Sequence, residues 1–148
     1  MNDLEFILNK ARQYCSFQER CIFDMTMKLQ EWKVSPGKIE KIIESLLKDE
    51  YLNEERYARL FAGGKFRQNK WGKNKIIHEM EKKKIPELYI QIGLEEIDEK
   101  EYFDALKEML SKKSRQIPDA NPEKRKQKLI SFGLQKGYHY GMIIQALP

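Results

Sequence analysis

Residues 25–43, MTMKLQEWKVSPGKIEKII, decide how this chain is read, because the same apolar spacing returns twice. It returns at 76–94, IIHEMEKKKIPELYIQIGL, and at 129–147, LISFGLQKGYHYGMIIQAL. With Val34, Ile85 and Tyr138 as anchors, 51 and 53 residues apart, Met25, Ile76 and Leu129 stand nine positions before. Ile39, Ile90 and Ile143 stand five after, and Ile43, Leu94 and Leu147 nine after. Five before the anchor the pattern gives Leu29 and Met80 but Gly133 in the third copy, where Phe132 is expected to fill the gap. A fixed internal period marks a repeat architecture.

Within each copy the apolar residues recur at steps of three and four, as in Ile22–Met25–Leu29–Trp32 and Tyr102–Leu106–Met109–Leu110. That places them on one helical face, and no stretch alternates as a strand would. Helix-start signals agree. Ser16 with Glu19 and Asp98 with Glu101 read as capping boxes, and Ser35–Pro36 and Asn121–Pro122 read as a cap followed by proline at the first helical position. Asn53 precedes the acidic pair Glu54–Glu55, which suits the positive end of a helix. Nine helices are predicted, at about 2–15, 18–32, 36–49, 54–68, 73–83, 87–96, 99–114, 122–136 and 139–147.

The expected fold is all-α: three tandem three-helix repeats, at 1–52, 53–97 and 98–148, in an elongated, curved right-handed array. The third repeat is degenerate. Each unit has few apolar residues, so neighbours are expected to share a core.

Of 148 residues, 34% are charged and 41% hydrophobic, and the formal net charge is +5. A basic balance biases the chain towards a polyanion or an acidic partner surface. No apolar run approaches the roughly 20 residues that cross a bilayer. The acidic start MNDLEF is unlike a secretion signal, so a cytoplasmic protein with reduced thiols at Cys15 and Cys21 is expected.

Signals for chemistry are weak. His78 is followed by Glu79, but Lys82 stands where a zinc site would need a second histidine, and His139 is isolated. Gly63–Gly64 lacks the lysine–Ser/Thr ending of a phosphate loop and reads as close helix packing or a weak point in a helix. The expectation is a binding protein with no catalytic residues, no metal and no cofactor.

The candidate binding residues lie in GGKFRQNKWGKNK, residues 63–75. Lys65, Arg67, Lys70, Lys73 and Lys75 could neutralise phosphates or meet carboxylates on a protein. Phe66 and Trp71 could stack on bases, although packing inward is the favoured reading. A second basic run, Lys112, Lys113, Arg115, Lys124, Arg125, Lys126 and Lys128, reads first as a solubilising surface.

Tyr51-Leu52-Asn53-Glu54-Glu55-Arg56-Tyr57-Ala58, with Phe61, Lys65-Phe66, Asn69-Lys70-Trp71-Gly72, Lys75-Ile76 and Glu79-Met80, resembles the central motif of the RecX family, Met80 replacing the usual leucine. The resemblance implies three tandem three-helix repeats that bind in the groove of the RecA–single-stranded-DNA filament. There such proteins reduce recombination, ATPase and coprotease activities, by occluding the groove or limiting extension, without catalytic residues. The implied partners are RecA and single-stranded DNA, the latter directly or through the filament, for a monomer. Arg56, in the motif helix, either contacts the partner or makes a structural ion pair. Tyr51, Leu52, Tyr57 and Phe61 are expected in the core. The alternative reading is a general single-stranded nucleic-acid-binding module acting without RecA.

Overall fold

The structure is a computed structural model that describes residues 3–118 and 120–148. Among the described residues it is entirely helical: α1 Asp3–Phe17, α2 Ile22–Glu31, α3 Pro36–Lys48, α4 Glu54–Asn69, α5 Lys73–Lys82, α6 Glu87–Leu94, α7 Glu99–Gln116, α8 Pro122–Gln135 and α9 Tyr140–Ala146. None of these helices is long and apolar enough to cross a membrane.

The caps show why the helices start where they do. The side chains of Asn53, Asp98 and Asn121 accept from backbone N–H groups of α4, α7 and α8. The expected start of α2 at residue 18 is wrong. α1 runs on to Phe17, with the Ser16 hydroxyl donating back to the Arg12 carbonyl at 3.0 Å. The working box belongs to Cys21, whose Sγ accepts from the Asp24 N–H while the Asp24 carboxylate accepts from the Cys21 N–H. Ser16 and Glu19 have box spacing, but a Ser engaged with the preceding turn cannot cap the next helix.

The repeat is stricter in the backbone than in the side chains. Lys33, Lys84 and Gly137 all have positive φ. The anchor after each donates to the carbonyl five residues back: Val34 to Leu29, Ile85 to Met80 and Tyr138 to Gly133, at 3.0 to 3.2 Å. Each is the left-handed C-terminal closure that satisfies a helix's last carbonyls. Gly133 is therefore regular as backbone. A Cβ there would lie 2.7 Å from Ile143 Cδ1, so Ile143 fills the gap expected for Phe132. Phe132 is instead half-buried beneath lysines.

Two apolar clusters form. Ala11, Met25, Leu29, Ile39, Ile42, Leu46 and Leu52 pack among α1–α3. The second runs unbroken through α4–α9, from Tyr57, Ala62 and Phe66 to Leu106, Tyr138 and Ile143, and takes in Cys21. The expected sharing of a core thus holds for α4–α9, whereas α1–α3 close mostly on themselves. Leu52 and Tyr57 are buried and Phe61 packs against the second cluster, but Tyr51 is 37% exposed, contrary to its expected core place. Arg12 lies over the Tyr51 ring, 5.8 Å from its centroid.

Candidate partner and nucleic-acid interface

The basic stretch straddles the end of α4 and the start of α5. Lys70 closes α4 in the left-handed region (φ 57°), and its carbonyl accepts from the Tyr138 hydroxyl at 2.9 Å. Gly72 N–H donates to the Lys136 carbonyl at 2.6 Å and Asn74 N–H to the Gly137 carbonyl at 2.9 Å. The turn before α5 is thus locked to the turn before α9. Beneath it Tyr102 and Tyr138 stack, 4.8 Å between centroids, and the Tyr102 hydroxyl accepts from Lys73 N–H at 2.7 Å. Burial pushes the Tyr102 phenol up to about 12 and raises Tyr138 as well. Both rings stay neutral under ordinary conditions and serve as fixed struts.

The aromatics mostly face inward. Phe66 is buried, 5.7 Å from the Tyr102 ring. Trp71 is half-buried and meets Phe61 edge-on at 6.4 Å. Lys65 and Lys75 hold their ammonium groups over the Trp71 ring at 4.9 and 4.6 Å. A cation over an indole gains roughly 0.5–1 kcal/mol at such half-exposed positions and keeps its hydrated side free for a partner.

The six expected binding residues divide. Lys73 is committed to an ion pair with Glu99. Arg56 is committed to Glu19 at 2.6 Å, and its Nη2 also donates to the Glu50 carbonyl at 3.0 Å. Its guanidinium ties the end of α3 and the α1–α2 link to α4. Arg67 is exposed and folds back over Gly63, where it occupies the space a Cβ would need. Gly63 thus packs against a side chain rather than a helix, and Gly64 faces open space. Lys65, Lys70 and Lys75 make no ion pair among the described residues.

Lys65 and Trp71 face a cleft of about 1240 Å³ between α2 and α4–α5. Met27 and Leu60, each 52% exposed, line its walls beside Phe23 and Phe61. Lys83 spans its floor to Asp24 at 2.5 Å. Lys70 faces the opposite way, towards α7 and α8. Charge is uneven too: residues 1–52 carry 8 Lys and Arg against 9 Asp and Glu, and residues 53–148 carry 20 against 14. The basic character belongs to α4–α9.

Burial pushes the Cys21 thiol up to about 12 and raises Cys15, so neither is poised as a nucleophile. Among the described residues no group of His, Cys, Asp and Glu is arranged to hold a metal. The geometry offers fixed charges and apolar walls around an open cleft.

Fold and surface together define an all-α protein of three-helix repeats whose basic charge is gathered on α4–α9. The chain matches the family models described as the second three-helix domain of RecX, over residues 53–94, and the third, over residues 99–147. The Regulatory protein RecX of Clostridium acetobutylicum is 33% identical over 128 residues, 84% of this chain and 59% of that protein. That of Lactobacillus johnsonii is 28% identical over 123 residues, 83% of this chain and 45% of that one. The chain spans about half the length of the curated relatives it matches. In fold it is similar to the crystal structure of RecX from Lactobacillus salivarius, with a TM-score of 0.87 at 21% identity, covering 97% of this chain and 94% of that one. The chain belongs to the RecX family.

Proposed function

We propose that this chain binds the RecA–single-stranded-DNA filament and modulates its recombinase, ATPase and coprotease activities, with inhibition the expected sense. The three units, divided after residues 52 and 97, span neighbouring RecA protomers and occlude the filament groove or limit its extension. The observation that carries the reading is membership of a family whose relatives are named regulatory proteins.

The cleft beside Trp71 is the contact for protein. It offers exposed Met27 and Leu60 as apolar anchors, with Lys65 in its wall and Lys75 beside it over the Trp71 ring. Lys70 and Arg67 add attraction towards the polyanion, while Arg56 and Lys73 act from their ion pairs and position the surface. The chain works by occupancy and supplies no catalytic group.

The test is RecA's DNA-dependent ATP hydrolysis with this chain added at rising substoichiometric ratios, beside the variant Lys65→Glu/Lys75→Glu. Suppression by the wild-type chain, lost or weakened about tenfold in the variant, is the expected result; two charge reversals at an interface cost at least the roughly 1.4 kcal/mol that this represents. Unchanged hydrolysis beside a chain that binds bare single-stranded DNA would put the general nucleic-acid-binding module in its place.

A further inference from the structure

On the side of α4 away from the cleft, Lys70 stands beside Lys112 and Lys113 of α7 and Lys136 at the end of α8. The four line a groove of about 270 Å³ together with the half-buried Met109 and Phe132. It continues past Lys113 and Phe132 into a second groove of about 710 Å³, where Lys124, Gln127 and Ser131 take over. Among the described residues neither groove has an Asp or Glu in its lining. The chain carries 23 acidic residues against 28 basic ones, so that exclusion is selective. None of Lys70, Lys112, Lys113 and Lys136 makes an ion pair among the described residues.

Like charges gathered without internal counter-charges repel one another, and a bound polyanion relieves that repulsion. The chemistry of the groove narrows the choice of polyanion. Its cations are lysines, point charges that meet single phosphates, and not the planar forks that grip carboxylates in two-point pairs. The amides of Gln68, Asn69 and Gln116 supply further donors of the kind that hold phosphate and sugar oxygens. Phe132 is shared by cations rather than left bare, since Lys113 and Lys136 hold their ammonium groups 5.1 and 5.9 Å from its centroid. The two grooves share Lys113, Gln116 and Phe132 and so form one continuous lysine-lined path, as a single backbone would follow.

We propose that the groove of Lys70, Lys112, Lys113 and Lys136 is a phosphate track for one strand of nucleic acid, gripped through its backbone without reading its bases. It is a surface distinct from the cleft beside Trp71, and it rests on the filament reading for the strand being the filament's DNA. The locked turns give it a fixed shape, since Lys70 and Lys136 are tied through their own carbonyls to Tyr138 and Gly72.

The test is fluorescence anisotropy of a labelled oligothymidylate, without any recombinase, across a series of salt concentrations. The groove variant Lys112→Gln/Lys113→Gln/Lys136→Gln is compared with Lys38→Gln/Lys41→Gln/Lys48→Gln, which removes the same charge from the exposed side of α3. The groove variant is expected to lose about tenfold or more in affinity, and its log–log salt slope to shrink by about 2, three phosphate contacts at roughly 0.7 each. The α3 variant is expected to keep both. Equal losses in the two variants, an unchanged slope in the groove variant, no binding by the wild-type chain, or equal competition by polyglutamate would each overturn the track. The recombinase assay reports separately: a wild-type chain without effect on RecA sinks the filament reading whatever the oligonucleotide does, and a failed track leaves that assay untouched.

Discussion

The backbone of Gly72 rests directly on that of Gly137, a Cβ on Gly72 falling inside the Gly137 carbonyl group. Sixty-odd residues of chain separate two turns that act as one piece, because their N–H and carbonyl groups pair across the gap. Gly72→Ala must push the turns apart and break the 2.6 Å bond to Lys136, at about 1–3 kcal/mol for overpacking a rigid contact. Gly137→Ala adds the strain of a φ of +100°, roughly 1–2 kcal/mol more, and meets Lys75 Cβ at 2.5 Å. Chemical denaturation of both variants should place Gly137→Ala lower than Gly72→Ala, with both below wild type. A wild-type midpoint for either would mean that the turns do not interlock.

The three homologous helix ends make a prediction of opposite sign. Lys33 and Lys84 hold the left-handed conformation that Gly137 takes in the third copy. A side chain there costs about 1–2 kcal/mol, partly offset by the extra freedom that glycine gains on unfolding. Lys84→Gly and Lys33→Gly should therefore each stabilise by about 0.5–1 kcal/mol, raising Tm by a few degrees. A lowered Tm for both would refute the equivalence of the three closures.

Helical periodicity and the repeat were legible in the sequence because the buried positions Met25, Ile76 and Leu129, or Ile39, Ile90 and Ile143, recur at fixed offsets. The start of α2 was not, since Ser16–Glu19 has better box chemistry on paper than Cys21–Asp24, and only the run-on of α1 decides between them. The positions of Arg56 and Lys73 were open for another reason. Their partners Glu19 and Glu99 lie 37 and 26 residues away, and local spacing carries no information about such pairs. The division of the basic stretch into a cleft-facing Lys65 and a groove-facing Lys70 depends on how α7 and α8 pack on α4, and this too lies beyond local pattern.

Alkali should unfold this chain in a characteristic way. Burial raises the pKa of Tyr57, Tyr102, Tyr138 and Cys21. In the unfolded chain tyrosine and cysteine ionise near 10 and 8.5. Above about pH 9 the unfolded state therefore binds fewer protons than the folded one, and stability falls as pH climbs towards about 12. Tyrosinate absorbance followed with helical circular dichroism is the check. Three of the 7 tyrosines should titrate only as helix is lost. Smooth titration of all of them near 10, with the helices intact, would contradict the burial.

The two tryptophans allow the attachment of α1–α3 to be measured by itself, because Trp32 packs on the first apolar cluster and Trp71 on the second. Besides Cys21 and Phe23, which pack on the second cluster, the two halves are tied by polar links: Arg56 to Glu19, Lys83 to Asp24, and the Ile22 N–H to the Glu54 carboxylate at 2.9 Å. Arg56 is the centre of this junction, since it also donates to the Glu50 and Tyr51 carbonyls. Arg56→Ala should cost about 1–2 kcal/mol, and its cycle with Glu19→Gln should show a coupling of about 1 kcal/mol for a half-exposed pair. The loss should fall unevenly. In urea, the transition seen by Trp32 (in a Trp71→Phe background) should move to lower concentration than that seen by Trp71 (in a Trp32→Phe background), because α1–α3 lose an anchor while the larger cluster of α4–α9 keeps its own contacts. If Arg56→Ala shifts both transitions equally, the two clusters unfold as one body and Arg56 is an ordinary surface ion pair.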